Sequence, residues 1–344
     1  MKNNNTYTFC SFEDLVLTII RYNIYLPLSK DLSILAKPVT FFAGRKKIVL
    51  KNSLSVHPME GFDANTDGSP SELSHRRYMR FASSGAGLVW SEAIAVCPEG
   101  RTSDHQLMIT KDNVSKFASL VEDYKKITDA PIIAQLTHSG RFSKNSCTQH
   151  PIIMQQNAEI EKVRPQDKGV PPVSDEYLDT LHARYAEAAE LAVKAGFDGV
   201  DIKICHQYLL SEALSSFMRE GKYGGSYINR TRLIMDIFKA VRGVIPSDTI
   251  LGSRFGISDM LRYPYGYGTN ARGDEPNPTE AKMLLSELVD DFGLSIIDMT
   301  MGSPYIAPHI NRPYNKGDYV ADEHPLEGVS RLIRGAREIK VALP

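Results

Sequence analysis

The sequence lacks the features that mark several large classes of protein. It has only four cysteines, Cys10, Cys97, Cys147 and Cys205, which lie far apart without a CxxC pair. This spacing speaks against a disulfide scaffold or a zinc knuckle and fits a reducing cytoplasm. No apolar run approaches the ~18–20 residues that a membrane-spanning helix needs. The start, MKNNNTYTFC, also lacks the basic and apolar parts of a signal peptide. We therefore expect a cytoplasmic protein with no membrane partner.

An excess of charge of either sign is also missing. The chain carries 40 basic and 41 acidic residues, which gives a net charge of −1. It therefore lacks the positive electrostatic field that would attract nucleic acid. No set of histidine, cysteine and carboxylate residues has metal-ligand spacing, and we expect no metal site. With 344 residues and 42% hydrophobic content, the chain can form one or at most two globular domains. The expected partner is a small molecule.

One pattern occurs three times along the chain. A helical stretch, a glycine and a short apolar run follow one another in RYMRFASSGAGLVWSEA, ELAVKAGFDGVDIKI and LSELVDDFGLSIIDMT. Gly85, Gly196 and Gly293 are placed to end each helix in the left-handed conformation. Apolar strands that alternate with long helices predict a parallel sheet, and none of the connections carries a GxGxxG or GxxxxGK[ST] phosphate loop. The fold class is therefore α/β, without a common nucleotide-binding loop.

Nearly every predicted strand ends in polar side chains. The strand centres fall near residues 56, 89, 134, 201, 252 and 297. The residues that follow are His57-Pro58-Met59-Glu60, Glu92-Ala93, Gln135-Leu136-Thr137-His138, Lys203 with His206, Arg254, and Asp298. In a (β/α)8 barrel such strand ends converge on one mouth, where the chemistry takes place. We therefore predict a barrel with its site at this mouth.

Six motifs in this order resemble the old yellow enzyme family of flavin-dependent ene-reductases, which includes the N-terminal barrels of 2,4-dienoyl-CoA reductases. They are HPMEG, GAGLVWSEAIAVCPEGR, QLTHSGR, GFDGVDIKICHQYLL, YGGSYINRTR and SRFGIS. GRKKIVLKNSLSVHP is similar to the family's lead-in hairpin, which plugs the bottom of the barrel. The resemblance implies a TIM (β/α)8-type barrel that binds FMN and takes electrons from NAD(P)H.

The strand count implies an incomplete barrel. About 47 residues follow the centre of the sixth strand, and they form a long loop and one more helix. In the family, loops after strands seven and eight hold the FMN phosphate. We expect residues 1–37 to form a helical lead-in that packs on the body, because DLVLTIIRYNIYLPL is amphipathic. Residues 38–344 would form an FMN-binding barrel with six of eight βα units. A homo-oligomer or a complementing C-terminal half stays open as a further partner.

The resemblance assigns six residues to the cofactor: Pro58, Met59, Glu60, Ala93, Gln135 and Arg254. A guanidinium near N1 and O2 would stabilise the negative charge of a reduced flavin. The alternatives are an ion pair inside the barrel for Arg254 and a polar barrel layer for Gln135. Glu60 stands where the family commonly has threonine or cysteine, and a carboxylate there would disfavour the reduced flavin unless it is protonated or paired. A surface turn is the alternative for Glu60.

The resemblance also assigns three catalytic residues, Lys203, His206 and Tyr208. Lys203 and His206 occupy the positions of the two donors that hold a substrate carbonyl oxygen in the family. Such donors withdraw electrons from the conjugated C=C bond that receives the hydride. Tyr208 occupies the position of the residue that protonates the α-carbon in the family. This step needs a positioned weak acid, and a tyrosine hydroxyl has an intrinsic pKa of about 10.

Two departures from the family pattern lie in the same motif. Lys203 replaces the first donor, which is usually histidine, and Gln207 replaces a glycine that lets the chain turn tightly. In the alternative interpretation, Lys203 pairs with Glu92 or Asp201 and His206 is a hydrogen-bonded core residue. Four polar and aromatic residues after the sixth strand suit either a lid or a surface loop: Tyr305, His309, Asn311 and Arg312.

These assignments predict an FMN-dependent NAD(P)H oxidoreductase that reduces the C=C bond of an α,β-unsaturated carbonyl or enoyl compound. One alternative is a non-catalytic or split-enzyme fragment that cannot hold FMN alone. A weaker alternative is a barrel enzyme that uses Lys203 as a Schiff-base nucleophile. The sequence does not choose the substrate, or between NADH and NADPH.

Overall fold

The computed structural model describes residues 9–314 and 319–343, and its centre is a parallel sheet of six strands in sequence order. These strands are β3 (Ser55–Val56), β4 (Leu88–Ala95), β5 (Ile132–Thr137), β6 (Gly199–Ile202), β7 (Ile250–Gly256) and β8 (Ile296–Thr300). All six predicted strand centres lie within them. The α/β prediction and the six barrel strands are therefore confirmed for the described part of the chain.

Long helices connect consecutive strands of this sheet. They are α2 (Glu72–Ala82), α3 (Val114–Ile127), α5 (Asp175–Lys194), α7 (Tyr227–Val244) and α8 (Thr279–Phe292), and α10 (Pro325–Ala342) follows β8. The short helices α4 (Ala158–Glu161), α6 (Leu209–Leu214) and α9 (Pro308–Asn311) lie in the loops. The three glycines predicted to end helices are left-handed, with φ of 82° at Gly85, 94° at Gly196 and 66° at Gly293. Each turns the chain directly into the next strand.

A β-hairpin covers the amino-terminal end of the sheet. It consists of β1 (Val39–Ala43) and β2 (Lys46–Leu50), which pair antiparallel. A compact apolar cluster joins the hairpin to the strands, and we call it the floor: Ala43, Ile48, Leu50, Leu88, Trp90, Ile133 and Ile250. The floor confirms that the lead-in hairpin plugs the bottom of the sheet.

The first helix, α1 (Phe12–Arg21), does not pack as the amphipathic pattern predicts. Ser11 caps it by accepting the Asp14 backbone N–H at 3.0 Å, but no residue of α1 is buried. Leu17 and Ile20 are 65% and 68% exposed, whereas Leu15, Val16 and Ile19 are half-buried, so the apolar face of this helix is only partly covered. The Tyr22 ring at the end of this helix lies 4.6 Å from the His324 ring, between centroids, and the chain turns at Asn23, which has a φ of 51°. No described helix is both long and apolar enough to cross a membrane.

Beyond the turn at Asn23, the lead-in reaches the body at α10. Ile24 is 7% exposed, and the Tyr25 carbonyl accepts a hydrogen bond from Ser330. The Tyr25 hydroxyl also accepts a hydrogen bond from Arg337 at 3.1 Å. The lead-in is therefore attached to the body from Tyr22 onward, at the end of its helix and along the extended segment that follows.

Candidate functional site

The carboxyl ends of the parallel strands surround a cavity of about 320 Å³, which we call the mouth cavity. Eight of the nine predicted site residues line it: Pro58, Met59, Glu60, Gln135, Lys203, His206, Tyr208 and Arg254. The ninth, Ala93, lies inside β4 and is not part of this lining; its carbonyl accepts a hydrogen bond from Gln106 at 3.2 Å. Residues from four strand ends thus meet in one place, as the parallel topology requires.

One carboxylate of the mouth cavity wall accepts hydrogen bonds from two other lining residues. Glu60 Oε1 accepts hydrogen bonds from Lys203 Nζ at 3.1 Å and from the Tyr208 hydroxyl at 2.9 Å. The alternative in which Lys203 pairs with Glu92 or Asp201 is wrong, because its ion-pair partner is Glu60. Glu60 is therefore paired rather than placed at a surface turn, and it holds the two side chains predicted to act on a substrate.

The turn that carries Glu60 is fixed from two sides. The Gly61 N–H donates to Glu92 Oε2 at 2.8 Å, and Glu92 is itself paired with Arg77 at 2.5 Å. At the start of the same turn, Arg254 Nη1 donates to the Pro58 carbonyl at 2.8 Å. The polar residue Glu92 at the second strand end thus positions the turn instead of lining the cavity.

Arg254 forms an ion pair inside the barrel, and it also lines the mouth cavity. Its Nε lies 3.3 Å from Asp298 Oδ2, while the His57 ring is 3.2 Å from Asp298 Oδ1. The hydrogen bond to Asp298 raises the pKa of His57 above its ordinary value. Arg254 Nη2 makes no hydrogen bond to a described residue, so this edge of the guanidinium is free to donate to a ligand.

Gln135 connects the cavity to the sheet interior. Its Nε2 donates to Asp201 Oδ2 at 2.6 Å, and the Trp90 indole N–H donates to the same oxygen at 2.7 Å. The Arg254 backbone N–H donates to Asp201 Oδ1 at 2.7 Å. Burial raises the pKa of Asp201 to about 6 despite these donors. Because the amide nitrogen of Gln135 faces Asp201, its carbonyl oxygen is left as an acceptor for the cavity.

Tyr208 is buried among aromatic rings. Its hydroxyl lies 3.0 Å from that of Tyr305, and Lys203 Nζ sits 3.7 Å from the centre of its ring. Phe142 packs beside both tyrosines, with a stacked contact to Tyr305 at 4.1 Å between ring centroids. Burial, with the Glu60 charge as a smaller cause, holds the pKa of Tyr208 well above its ordinary value. The phenol therefore stays protonated at neutral pH, as a proton donor must.

The turn that presents His206 is strained. His206 has a φ of 64° and Gln207 a φ of 56°, both in the left-handed region that glycine tolerates best. The His206 Nε2 atom lies 3.3 Å from Asn311 Nδ2, which fixes the ring. Burial lowers the pKa of His206 well below its ordinary value, and the nearby Arg254 and Lys203 act in the same direction. His206 is accordingly a neutral imidazole.

Sequence reasoning missed Phe62 and Thr102, and also Pro304, which precedes Tyr305 and lines the mouth cavity. Phe62 lines the mouth cavity, and Thr102 Oγ1 donates to Glu60 Oε2 at 3.2 Å. Neither Phe62 nor Thr102 belongs to the polar strand ends from which the site was predicted. The sequence indicated Phe62 only by its position two residues after Glu60, and it gave no indication of Thr102. Of the loop after the sixth strand, Tyr305, Asn311 and Arg312 line the cavity, whereas His309 contacts Tyr319 instead.

A family sequence model matches this chain, and curated proteins are similar to it. The model described as NADH:flavin oxidoreductase / NADH oxidase family covers residues 35–315. An NADPH dehydrogenase of Clostridium acetobutylicum is 30% identical over 274 residues, which cover 77% of this chain and 74% of that protein. An NADPH dehydrogenase of Bacillus pumilus is 35% identical over 204 residues, which cover 58% of each chain. The chain thus spans little more than half the length of some curated relatives.

Solved structures show the same fold. Old Yellow Enzyme from Pichia sp. AKU4542 matches with a TM-score of 0.64 and 22% identity, covering 92% of this chain and 81% of that one. Morphinone reductase matches with a TM-score of 0.62 and 22% identity, covering 87% of this chain and 77% of that one. The six strands described here therefore correspond to part of a TIM-barrel fold.

Proposed function

Because this chain belongs to the NADH:flavin oxidoreductase / NADH oxidase family, we propose that it binds FMN at the mouth cavity and uses NAD(P)H to reduce the C=C bond of an α,β-unsaturated carbonyl compound. The observation that carries this proposal is the gathering of Lys203, His206, Tyr208 and Arg254 around one cavity. These four side chains come from two neighbouring strand ends, those of β6 and β7, and together they supply carbonyl donors, a proton donor and a cation.

The residues present fit the ring of a flavin. The free Nη2 edge of Arg254 is a cationic donor for the N1–O2 side of the ring, where negative charge collects on reduction. The carbonyl oxygen of Gln135 is an acceptor for the imide N–H of the same ring edge. At the rim, Met59 and Phe62 are 72% and 50% exposed, so apolar surface is ready for a flat aromatic ligand. These residues would hold the ring, and the bound cofactor would supply a hydride for the β-carbon.

Lys203 and His206 are the donors for the substrate carbonyl. In the structure, Lys203 donates one hydrogen bond to Glu60, so its ammonium group has further N–H donors for a carbonyl oxygen. The Nε2 atom of the neutral His206 lies 3.3 Å from the Asn311 amide nitrogen, and its other ring nitrogen, Nδ1, would donate to the carbonyl in the tautomer that carries its proton there. Two donors on one oxygen draw electron density from the conjugated bond and favour attack at the β-carbon.

Tyr208 is the acid that completes the reduction. It would give its proton to the α-carbon and leave a phenolate, and the two electrons of the hydride and this proton saturate the C=C bond. The Tyr305 hydroxyl, at 3.0 Å, is placed to return a proton to Tyr208. The Schiff-base alternative gains no support. A lysine must be neutral to attack a carbonyl, and the ion pair with Glu60 favours the charged form of Lys203.

The experiment that tests this proposal separates the two half-reactions. The chain loaded with FMN is mixed anaerobically with NADPH and then with 2-cyclohexen-1-one, while the flavin absorbance is followed. We expect bleaching by NADPH and recovery by the enone, with the recovery slowed in Lys203→Met and unchanged in the exposed control Lys239→Met. Absence of bleaching by both NADPH and NADH would refute the proposal.

A further inference from the structure

The hairpin that plugs the bottom of the sheet has an exposed apolar face. In the register of β1 and β2, Phe42 pairs with Lys47, and such opposed side chains lie on one face. Phe42 and Val49 are 60% and 55% exposed, whereas the residues on the other face of the hairpin are buried in the floor. The hairpin therefore buries one apolar face against the strands and leaves a second one uncovered.

The segment before the hairpin extends this apolar surface. A short 3₁₀ helix, Ser33–Ala36, lies beside the end of β2, because the Ser53 backbone N–H donates to the Leu35 carbonyl at 3.1 Å. We call the combined surface the underside, and its apolar side chains are 41–63% exposed: Ile34, Leu35, Phe42, Val49 and Leu54. Single exposed apolar residues are ordinary, but a group of five within one short segment indicates a contact surface.

The underside is also basic. Five exposed cationic side chains lie in the same segment, and none of them forms an ion pair with a described residue: Lys37, Arg45, Lys46, Lys47 and Lys51. Residues 32–59 contain no aspartate or glutamate. Three carboxylates flank the segment, one just before it and two on loops that approach Lys51 and Gly44: Asp31, Asp129 and Asp248. The five cations outnumber these three carboxylates, so the underside has an excess of positive charge.

We infer that the underside attaches the protein to an anionic lipid surface, with its apolar side chains among the headgroups and its cations beside the lipid phosphates and carboxylates. Peripheral binding to such membranes combines buried apolar area with attraction between basic side chains and anionic lipids. The sequence predicted no membrane partner because the net charge of −1 does not show this local excess. Attachment by the underside leaves the mouth cavity, at the opposite end of the strands, facing water.

Two other partners fit the underside less well. In a two-fold dimer the same patch would lie against itself, so cations would face cations. Nucleic acid is held mostly by cationic and polar side chains on its phosphates, which leaves Phe42 and Val49 without a role. A lipid surface accounts for the apolar and the basic side chains together.

The test is co-sedimentation of the whole chain with lipid vesicles. We expect binding to phosphatidylcholine vesicles that contain about 30% phosphatidylserine, and none to vesicles of phosphatidylcholine alone. The double variant Lys46→Glu/Lys47→Glu should weaken binding at least tenfold, because each cation near an anionic surface strengthens binding about fivefold. Phe42→Ser should weaken it by a smaller factor, because it removes one apolar side chain from the interface. All three side chains are exposed, and an unchanged urea midpoint verifies that the variants fold.

The matched control is Lys144→Glu/Lys168→Glu, which changes two exposed lysines between β5 and α5, away from the underside. It makes the same change of net charge and should leave vesicle binding unchanged. Equal sedimentation with the two kinds of vesicle, an equal loss in the two lysine pairs, or unchanged binding by Phe42→Ser overturns the inference.

Gel filtration and titration with duplex DNA test the other two partners. A dimer that dissociates in Phe42→Ser would assign the underside to a second copy of the chain. DNA binding that depends on Lys46 and Lys47, without binding to either kind of vesicle, would assign it to nucleic acid. Each of these results contradicts attachment to lipid, whereas a monomer that binds only the anionic vesicles supports it.

Discussion

The floor and the mouth are opposite ends of the same parallel strands, yet they are built from opposite kinds of side chain. At the floor, Ile48 and Leu50 of the hairpin pack on Trp90, Ile133 and Ile250. At the mouth, the same sheet ends in ionised and hydrogen-bonding side chains. Two ion pairs lie there, Lys203 with Glu60 and Arg254 with Asp298. Apolar burial at about 25 cal/mol per Å² makes the floor a source of stability.

Charges at the mouth do not stabilise the fold in the same way. A buried ion pair repays its desolvation only in part, so replacing such a pair with apolar residues is often neutral or stabilising. Glu60 with Lys203, and Arg254 with Asp298, are therefore better explained by function than by stability. We therefore expect substitutions at the floor to change the free energy of unfolding, and substitutions at the mouth to change the rate of turnover.

The largest effect on stability is expected for Ile133→Ala at the floor. Ile133 is 0% exposed, and truncating such a side chain typically costs about 2–5 kcal/mol through lost burial and the cavity left behind. The urea midpoint of unfolding should fall, while the turnover of the folded, flavin-loaded protein should stay unchanged. A normal midpoint would show that the floor does not have the stabilising role assigned to it.

Tyr208→Phe is the matching change at the mouth. Removing a positioned proton donor should lower turnover with an enone about 10²-fold, because general acid catalysis commonly contributes 10²–10⁴-fold. Reduction of the flavin by NADPH should keep its rate, and the urea midpoint should move little. Tyr305→Phe is the control with a smaller expected loss, since Tyr305 only supports the donor. Full turnover in Tyr208→Phe would remove Tyr208 from the mechanism.

Asp201 lies where the two regions meet, and it gives stability a pH dependence. Its folded pKa of about 6 exceeds the ordinary value of 3.8, so the folded state binds this proton more tightly. The resulting stabilisation is present below pH 3.8 and is lost as the pH rises through 6. Wild type should therefore lose roughly 1–3 kcal/mol relative to Asp201→Asn between pH 4 and 7.

The single tryptophan provides the measurement for Asp201. Trp90 donates to Asp201, so its fluorescence should change near pH 6 in the wild type and not in Asp201→Asn. Denaturant unfolding at several pH values gives the stability difference. A fluorescence transition that persists in Asp201→Asn would assign the titration to another group.

The smallest effect is expected at the strained turn of the mouth. Gln207→Gly should raise stability by up to about 1 kcal/mol, because relief of the left-handed strain outweighs the added freedom of the unfolded chain. Gly85→Ala is the reverse change, at a φ of 82° with no atom within 4 Å of the added Cβ. Thermal unfolding should show opposite shifts, and destabilisation by Gln207→Gly would contradict the assigned strain.

The strand ends were predictable from the sequence because parallel topology sends them all to one edge. That reasoning, with the family resemblance, placed eight of nine predicted residues at one cavity, and the resemblance itself is confirmed. The contact between Glu60 and Lys203 was not predictable, since 143 residues separate them and nothing local signals the pairing. The same holds for Thr102. The amphipathic pattern of α1 predicted an apolar face correctly, but it did not show whether a neighbour would cover that face.

The central claim is that the mouth holds a flavin, and an equilibrium titration with FMN tests it most directly. The fluorescence of added FMN should be quenched on binding and saturate at about one FMN per chain, with the oxidised-flavin absorption retained after gel filtration. Arg254→Met should weaken this binding, whereas Ile133→Ala should not while the protein stays folded. A folded chain that leaves added FMN unquenched would contradict the account and favour a fragment that cannot hold the cofactor alone.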